Sequence, residues 1–178
     1  MTESKQTVQK PEVAQAIVDG FKRAGIDFVV IATPEPQYDA VIPLIANDPS
    51  FQYVPALQEA QGAAICAGAW AGGKKPAFIL TSAGYYPMLW EFAAQSVLWG
   101  IPFIFLIPHL GDVGCPWWVM SIRDSHCMTQ TMEVFGVPYT VVERVQDLST
   151  EIVRAHVHAG ASLRPVGLLL GGETVWTY

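Results

Sequence analysis

Apolar positions along the chain gather into short continuous runs bounded by proline and glycine, and stretches of helical spacing fall between them. The runs predict strands over Asp27–Ala32, Phe51–Val54, Ala77–Thr81, Pro102–Ile107, Tyr139–Val142 and Val166–Leu170. The spaced stretches predict helices over Val13–Ala24, Tyr38–Ala46 (despite Pro43), Gln58–Ala71, Pro87–Leu98, a segment ending near Phe135, and Leu148–His158. Strands that are apolar throughout, rather than alternating, have both faces covered. Strand and helix take turns along the whole chain, which predicts an α/β fold with a doubly wound, mainly parallel, six-stranded sheet and helices on both faces. Residues 1–12, opening MTESKQTVQK, read as a mobile polar tail, and 13–178 as one domain.

In such a sheet, ligands bind beyond the carboxyl ends of the strands. That directs attention to Thr33–Gln37, Pro55–Glu59, Ser82–Tyr86 and His109–Trp118. Composition adds a partner. The 178 residues are 51% hydrophobic and only 15% charged, against roughly a quarter charged in an average domain. A chain this apolar is expected to hide surface in an oligomer. The net charge of −6 and the scattered lysines and arginines exclude a nucleic-acid face, which needs clustered basic residues. The longest apolar run, Ile101–Leu110, holds two prolines and a histidine, and falls short of the roughly 20 residues of a membrane span. Three cysteines without a CxxC pair predict no disulfide framework, and no secretory signal opens the chain, so a cytoplasmic protein is expected.

Glu59 is the most informative residue. It opens a helix of small residues in which no other charge occurs from Ala60 to Gly73, a pattern that predicts burial all round. Ala60, Gly62, Ala63, Ala64, Ala67, Gly68 and Ala71 would let another backbone come close. A carboxylate at such a helix start gains from the dipole and loses hydration; a simple helix-capping acid is the competing reading. Gly68–Lys75 nearly spells a phosphate loop, but Lys75 stands where the hydroxyl should be, and the segment leaves a helix for a strand instead of the reverse. Gly72-Gly73 reads better as a helix C-cap. His156 and His158 are two apart on a helix and face different ways, so they cannot share a metal. His109, Asp112, Cys115, His126 and Cys127 match no zinc spacing, and no metal site is expected in this chain. His109 follows a strand on the ligand side, as proton donor, substrate contact or structural histidine. Ser82 lies in Thr81-Ser82-Ala83-Gly84 without the GxSxG of a nucleophile elbow, although the amides of such a turn can bind a polar ring edge. Tyr85, Tyr86, Trp90, Trp117 and Trp118 gather at the same edge, as core, interface or substrate pocket.

Taken in order, Gln58-Glu59-Ala60, a Gly/Ala helix ending Gly72-Gly73-Lys74-Lys75-Pro76, an apolar strand and Thr81-Ser82-Ala83-Gly84 resemble the pyrimidine-binding domain of thiamine-diphosphate decarboxylases. The likeness is nearest to the sulfopyruvate decarboxylase alpha subunit and the matching half of phosphonopyruvate decarboxylase. Glu59-x-x-Gly62, Ala67-Gly68-Ala69, the run Ile101–Leu106 and Glu133-x-x-Gly136 carry it, over roughly Val13–Leu170. The resemblance implies a 2-oxo acid decarboxylase in which Glu59 hydrogen-bonds N1′ of the aminopyrimidine and favours its imino tautomer. Glu59, Ser82 and Gly84 are then cofactor contacts, and Pro34, Tyr85, His109 and Trp117 candidate substrate contacts. The chain has no GDG…N signature for the diphosphate: Gly111-Asp112-Val113-Gly114 is followed by no suitable asparagine. A separate beta subunit holding the diphosphate and its magnesium is therefore implied, in a hetero-oligomer of at least two alpha and two beta chains. Two departures bear on the substrate. The family's S-G-x-G-N turn reads Ser82-Ala83-Gly84-Tyr85-Tyr86, and its arginine-glycine pair reads His109-Leu110-Gly111-Asp112. Arginine suits sulfonates and phosphonates, so a less polar or aromatic 2-oxo acid is expected. The rival readings are a non-catalytic interaction subunit, a carboligating enzyme, and a hydrolase using Ser82 and His109.

Overall fold

A computed structural model describes residues 9–32, 38–111 and 127–175, apart from the side chain of Gln95. The first helix, α1 (Pro11–Ala24), begins on a proline, whose missing N–H costs nothing at a helix start. It ends at Gly25, whose φ of 71° is open to a residue without Cβ and lets its N–H reach the Lys22 carbonyl. Then come β1 (Phe28–Ala32), α2 (Val41–Ala46), β2 (Gln52–Ala56), α3 (Glu59–Ala71) and β3 (Pro76–Ile79). A 3-10 turn (Ala83–Tyr85) leads to α4 (Leu89–Glu91), which runs on as a π-helix over Phe92–Val97. The chain continues through β4 (Ile104–Pro108), α5 (Thr129–Phe135), β5 (Tyr139–Val142), α6 (Val145–Ser162) and β6 (Val166–Leu170), and a 3-10 turn follows at Gly172–Thr174.

The six strands form one sheet in the order β2-β1-β3-β4-β6-β5 with every pairing parallel. The expected doubly wound fold is thus present, and parallel throughout. Successive residues of each central strand serve opposite faces. Val29, Ile31, Ala77, Ile79, Ile104 and Leu106 join the core under α1, α2 and α6. Phe28, Val30, Phe78, Leu80, Phe105 and Ile107 join the core that also holds Ala63 and Cys66 of α3, Phe92 of the π-helix and Met132 of α5. The order in which strands are added reverses at β1, which lies between β2 and β3. The connection through α3 therefore crosses β1 and brings the exit of β2 and the exit of β3 together above its carboxyl end.

Several expectations are corrected. Residues 9–12, read as the end of a tail, belong to the fold: Gln9 is buried and its Oε1 accepts the N–H of Val41 at 2.9 Å. Proline sets the start of α1 two residues before Val13. The helix expected over Pro87–Leu98 is α4 plus the π-turn, whose wider spiral packs Phe92 edge-on to Tyr85, Phe103 and Phe105. Burial all round α3 is not met: Gly62, Ala63, Cys66 and Ala67 are buried, while Gln61, Gly68, Trp70 and Ala71 face outward. The pattern cannot separate a face buried by its own chain from one left bare, because uncharged residues, mostly glycine and alanine, run round the helix after Glu59. Among the described residues no helix is long and apolar enough to cross a membrane.

Candidate functional site

Glu59 is the first residue of α3, directly beyond β2, with Gln58 extended before it. Its carboxyl is half-buried at the positive end of a 13-residue helix. Facing it is the turn after β3. The Thr81 hydroxyl donates to Glu59 Oε1 at 3.5 Å and accepts the N–H of Gly84 at 3.0 Å, so one buried side chain ties the turn to the acid. Gly84 closes the arrangement: a Cβ there would overlap Glu59 Cγ, Cδ and Oε1. The glycine is required by close approach alone, since the turn closes through ordinary 3-10 bonds from Gly84 N–H to Thr81 O and Tyr85 N–H to Ser82 O. A second glycine seats the helix, for a Cβ at Gly62 would strike the Phe78 ring of β3.

Two hydroxyls of the same turn are buried without a hydrogen-bond partner among the described residues, Ser82 Oγ and Tyr85 OH. Desolvation leads, and the neighbouring Tyr86 adds, in pushing the Tyr85 phenol well above the usual tyrosine range, so it stays a donor. Its ring stacks edge-on to Tyr86 at 5.6 Å and Phe92 at 6.4 Å. A buried hydroxyl with no partner is costly and calls for an acceptor.

Glu59, Ser82, Gly84 and Tyr85 are therefore brought together. His109 follows β4, the neighbour of β3, at the same carboxyl edge; it is buried and its N–H donates to the Leu170 carbonyl of β6 at 2.6 Å. Pro34 and Trp117, and with them His126, lie outside the described residues. Trp90 stands out from α4, 78% exposed. Thr81, the residue that joins acid to turn, was missed because a threonine at a strand end carries no sequence signal of its own.

The near phosphate loop is no loop for phosphate. The amides of Gly72, Gly73 and Lys74 are already bonded to the carbonyls of Gly68, Trp70 and Ala69, as a helix C-cap. His156 is half-buried and His158 exposed on α6, as their spacing demanded. Among the described residues no group of three or more His, Cys, Asp or Glu side chains could hold a metal ion.

No protein-family model matches the chain. Over 105 residues it is 30% identical to the sulfopyruvate decarboxylase subunit alpha of Methanothermobacter thermautotrophicus, which covers 59% of this chain and 63% of that one. The subunit alpha of Methanocaldococcus jannaschii is 31% identical over 98 residues, 55% of this chain and 57% of that one. The chain thus spans about three-fifths of the length of these relatives. Among solved structures, a putative thiamin diphosphate-dependent enzyme from Mycobacterium smegmatis superposes with a TM-score of 0.72 at 20% identity, over 93% of this chain and 31% of that one. A 2-oxoglutarate:ferredoxin oxidoreductase from Magnetococcus marinus superposes with a TM-score of 0.66, also at 20% identity, over 98% of this chain and 31% of that one. Sequence and fold point the same way: over about three-fifths of its length the chain is similar to sulfopyruvate decarboxylase alpha subunits, and its fold is shared with a putative thiamin diphosphate-dependent enzyme.

Proposed function

We propose that this chain is a subunit of a thiamine-diphosphate-dependent 2-oxo acid decarboxylase and supplies Glu59 to the aminopyrimidine ring. The observation that carries the reading is the meeting of the Glu59 carboxyl with the Thr81–Gly84 turn over the end of β1. The site suits an aminopyrimidine edge. Thr81 engages Glu59 Oε1 and leaves Oε2 to share a proton with the ring nitrogen N1′, while Ser82 Oγ beside it lacks a partner. When bound, thiamine diphosphate supplies the nucleophilic carbon for a 2-oxo acid and the electron sink that lets carbon dioxide leave. This chain's part is to hold one proton at Glu59 Oε2, keep the carboxyl in register through Thr81 and Gly84, and exclude water at the Tyr85 side.

The other half of the site belongs to a separate subunit that holds the diphosphate and its magnesium. The bare apolar side chains support such a partner: Leu57 is 89% exposed just before α3, and Trp90, Leu98 and Trp99 stand out along the next helical segment. His109 where the family carries an arginine-glycine pair, together with Tyr85 and Tyr86 at the turn after β3, supports a less polar or aromatic 2-oxo acid. Glu59→Gln tests the assignment in the reconstituted complex with thiamine diphosphate, read as carbon dioxide release. An amide cannot relay the proton, so turnover is expected to fall by about 10²-fold or more. Turnover near wild type, with the variant folded and assembled, would overturn it.

A further inference from the structure

A cavity lies at the opposite edge of the sheet, where β3 and β4 begin and the C-terminal ends of α3 and α6 approach each other. Its volume is about 310 Å³, within the range of roughly 300–1,000 Å³ typical of small-molecule sites. The walls are flat and apolar. Phe103 is 1% exposed and Trp70 stands at the side, while Pro76 and Pro102 carry no N–H. Gly160 of α6 lines it with nothing within 4 Å of where a Cβ would stand, so the space is not filled by the protein's own side chains.

The rim carries two lysines and a histidine. Lys74, Lys75 and His156 border the cavity, and no acidic side chain lines it. Lys74 lies 3.7 Å from Asp27, which leaves Lys75 and His156 as the lining side chains able to meet an anion; the Lys75 ammonium rests near Gly25, at the end of a side chain long enough to turn toward the cavity. Desolvation first, and then Lys75, hold the His156 imidazole below its usual range. An anion placed between the two would relieve that repulsion and accept from both. We infer that this cavity binds a small monocarboxylate with a flat apolar body, whose ring lies between Trp70 and Phe103 and whose carboxylate meets Lys75 and His156.

Benzoate is the probe, titrated into the full chain and read by the ring resonances of His156, assigned with His156→Gln. A saturable shift is expected. Benzamide, which keeps the ring and lacks the charge, should bind about fivefold more weakly, and so should benzoate to Lys75→Met, as befits a partly exposed ion pair. Gly160→Leu puts a side chain into the open space and replaces a helix glycine, so it should fold and yet bind benzoate at least about tenfold more weakly. Absence of a saturable shift overturns the inference. So does an unchanged affinity in Gly160→Leu, or equal affinities for benzoate and benzamide. None of these readings depends on turnover at Glu59.

Discussion

Gly84 has no Cβ, and the space one would fill is taken by the Glu59 side chain. Gly84→Ala must therefore push the carboxyl away from Thr81 or shift the turn. Overpacking of this kind costs about 1–3 kcal/mol, and the half-buried glutamate can swing outward to meet it. The expected outcome is a modest fall in thermal midpoint with a much larger fall in turnover of the assembled enzyme. Turnover that tracks stability alone would show that Glu59 needs no exact seat. A second residue-scale effect concerns acid. Lys22 Nζ lies 2.6 Å from Asp48 Oδ2, and Ser50 donates to Oδ1 through its hydroxyl at 2.6 Å and its N–H at 2.9 Å. The hydrogen bond from Lys22, then those from Ser50, lower the Asp48 pKa from 3.8 to about 2. A folded pKa below the unfolded one gives stability that is present above about pH 3.8 and lost as pH falls toward about 2. Denaturant midpoints of wild type and Asp48→Asn should differ at neutral pH and converge near pH 2.

At the scale of elements, α3 does two jobs with one composition. Gly62, Ala63, Cys66 and Ala67 bury one face on β1 and β3, and Gly62 permits contact with the Phe78 ring. The other face, with Gln61, Gly68, Trp70 and Ala71, is open, and a Cβ at Gly68 meets nothing within 4 Å. Gly68→Leu should thus leave the isolated chain as stable or raise its stability by up to about 1 kcal/mol, since glycine is a poor helix former. The same side chain would stand in the way of a second subunit. A thermal melt of the chain alone and sedimentation with its partner separate the two effects. Full assembly by Gly68→Leu would remove this face of α3 from the interface. The π-turn after α4 is an element no periodicity announces. There Phe92 packs edge-on to Tyr85, Phe103 and Phe105, contacts made outside the helix itself.

At the scale of the molecule, the proposed site is half of one. The described surface offers a carboxyl, a turn with unpartnered hydroxyls and a bare apolar flank, while a groove of about 560 Å³ along β5 and α6 borders the other end of the sheet. The chain with thiamine diphosphate and no partner is therefore expected to release no carbon dioxide. The partner should raise its thermal midpoint in a concentration-dependent way, and turnover by the chain alone would refute the half-site. Much of this was legible beforehand. Continuous apolar runs and their alternation with helices determine a parallel sheet, because only a strand covered on both faces can be apolar throughout. Chain order then puts Glu59, the Ser82 turn and His109 at the carboxyl edge. What the sequence could not decide depends on distances through space. The strand order laid β1 between β2 and β3, and so drew Glu59 onto Gly84 and gave Thr81 its part. Packing decided which face of α3 is covered and which is left open. Composition sets how apolar a surface is, but only the tertiary fold determines which of it is already spent.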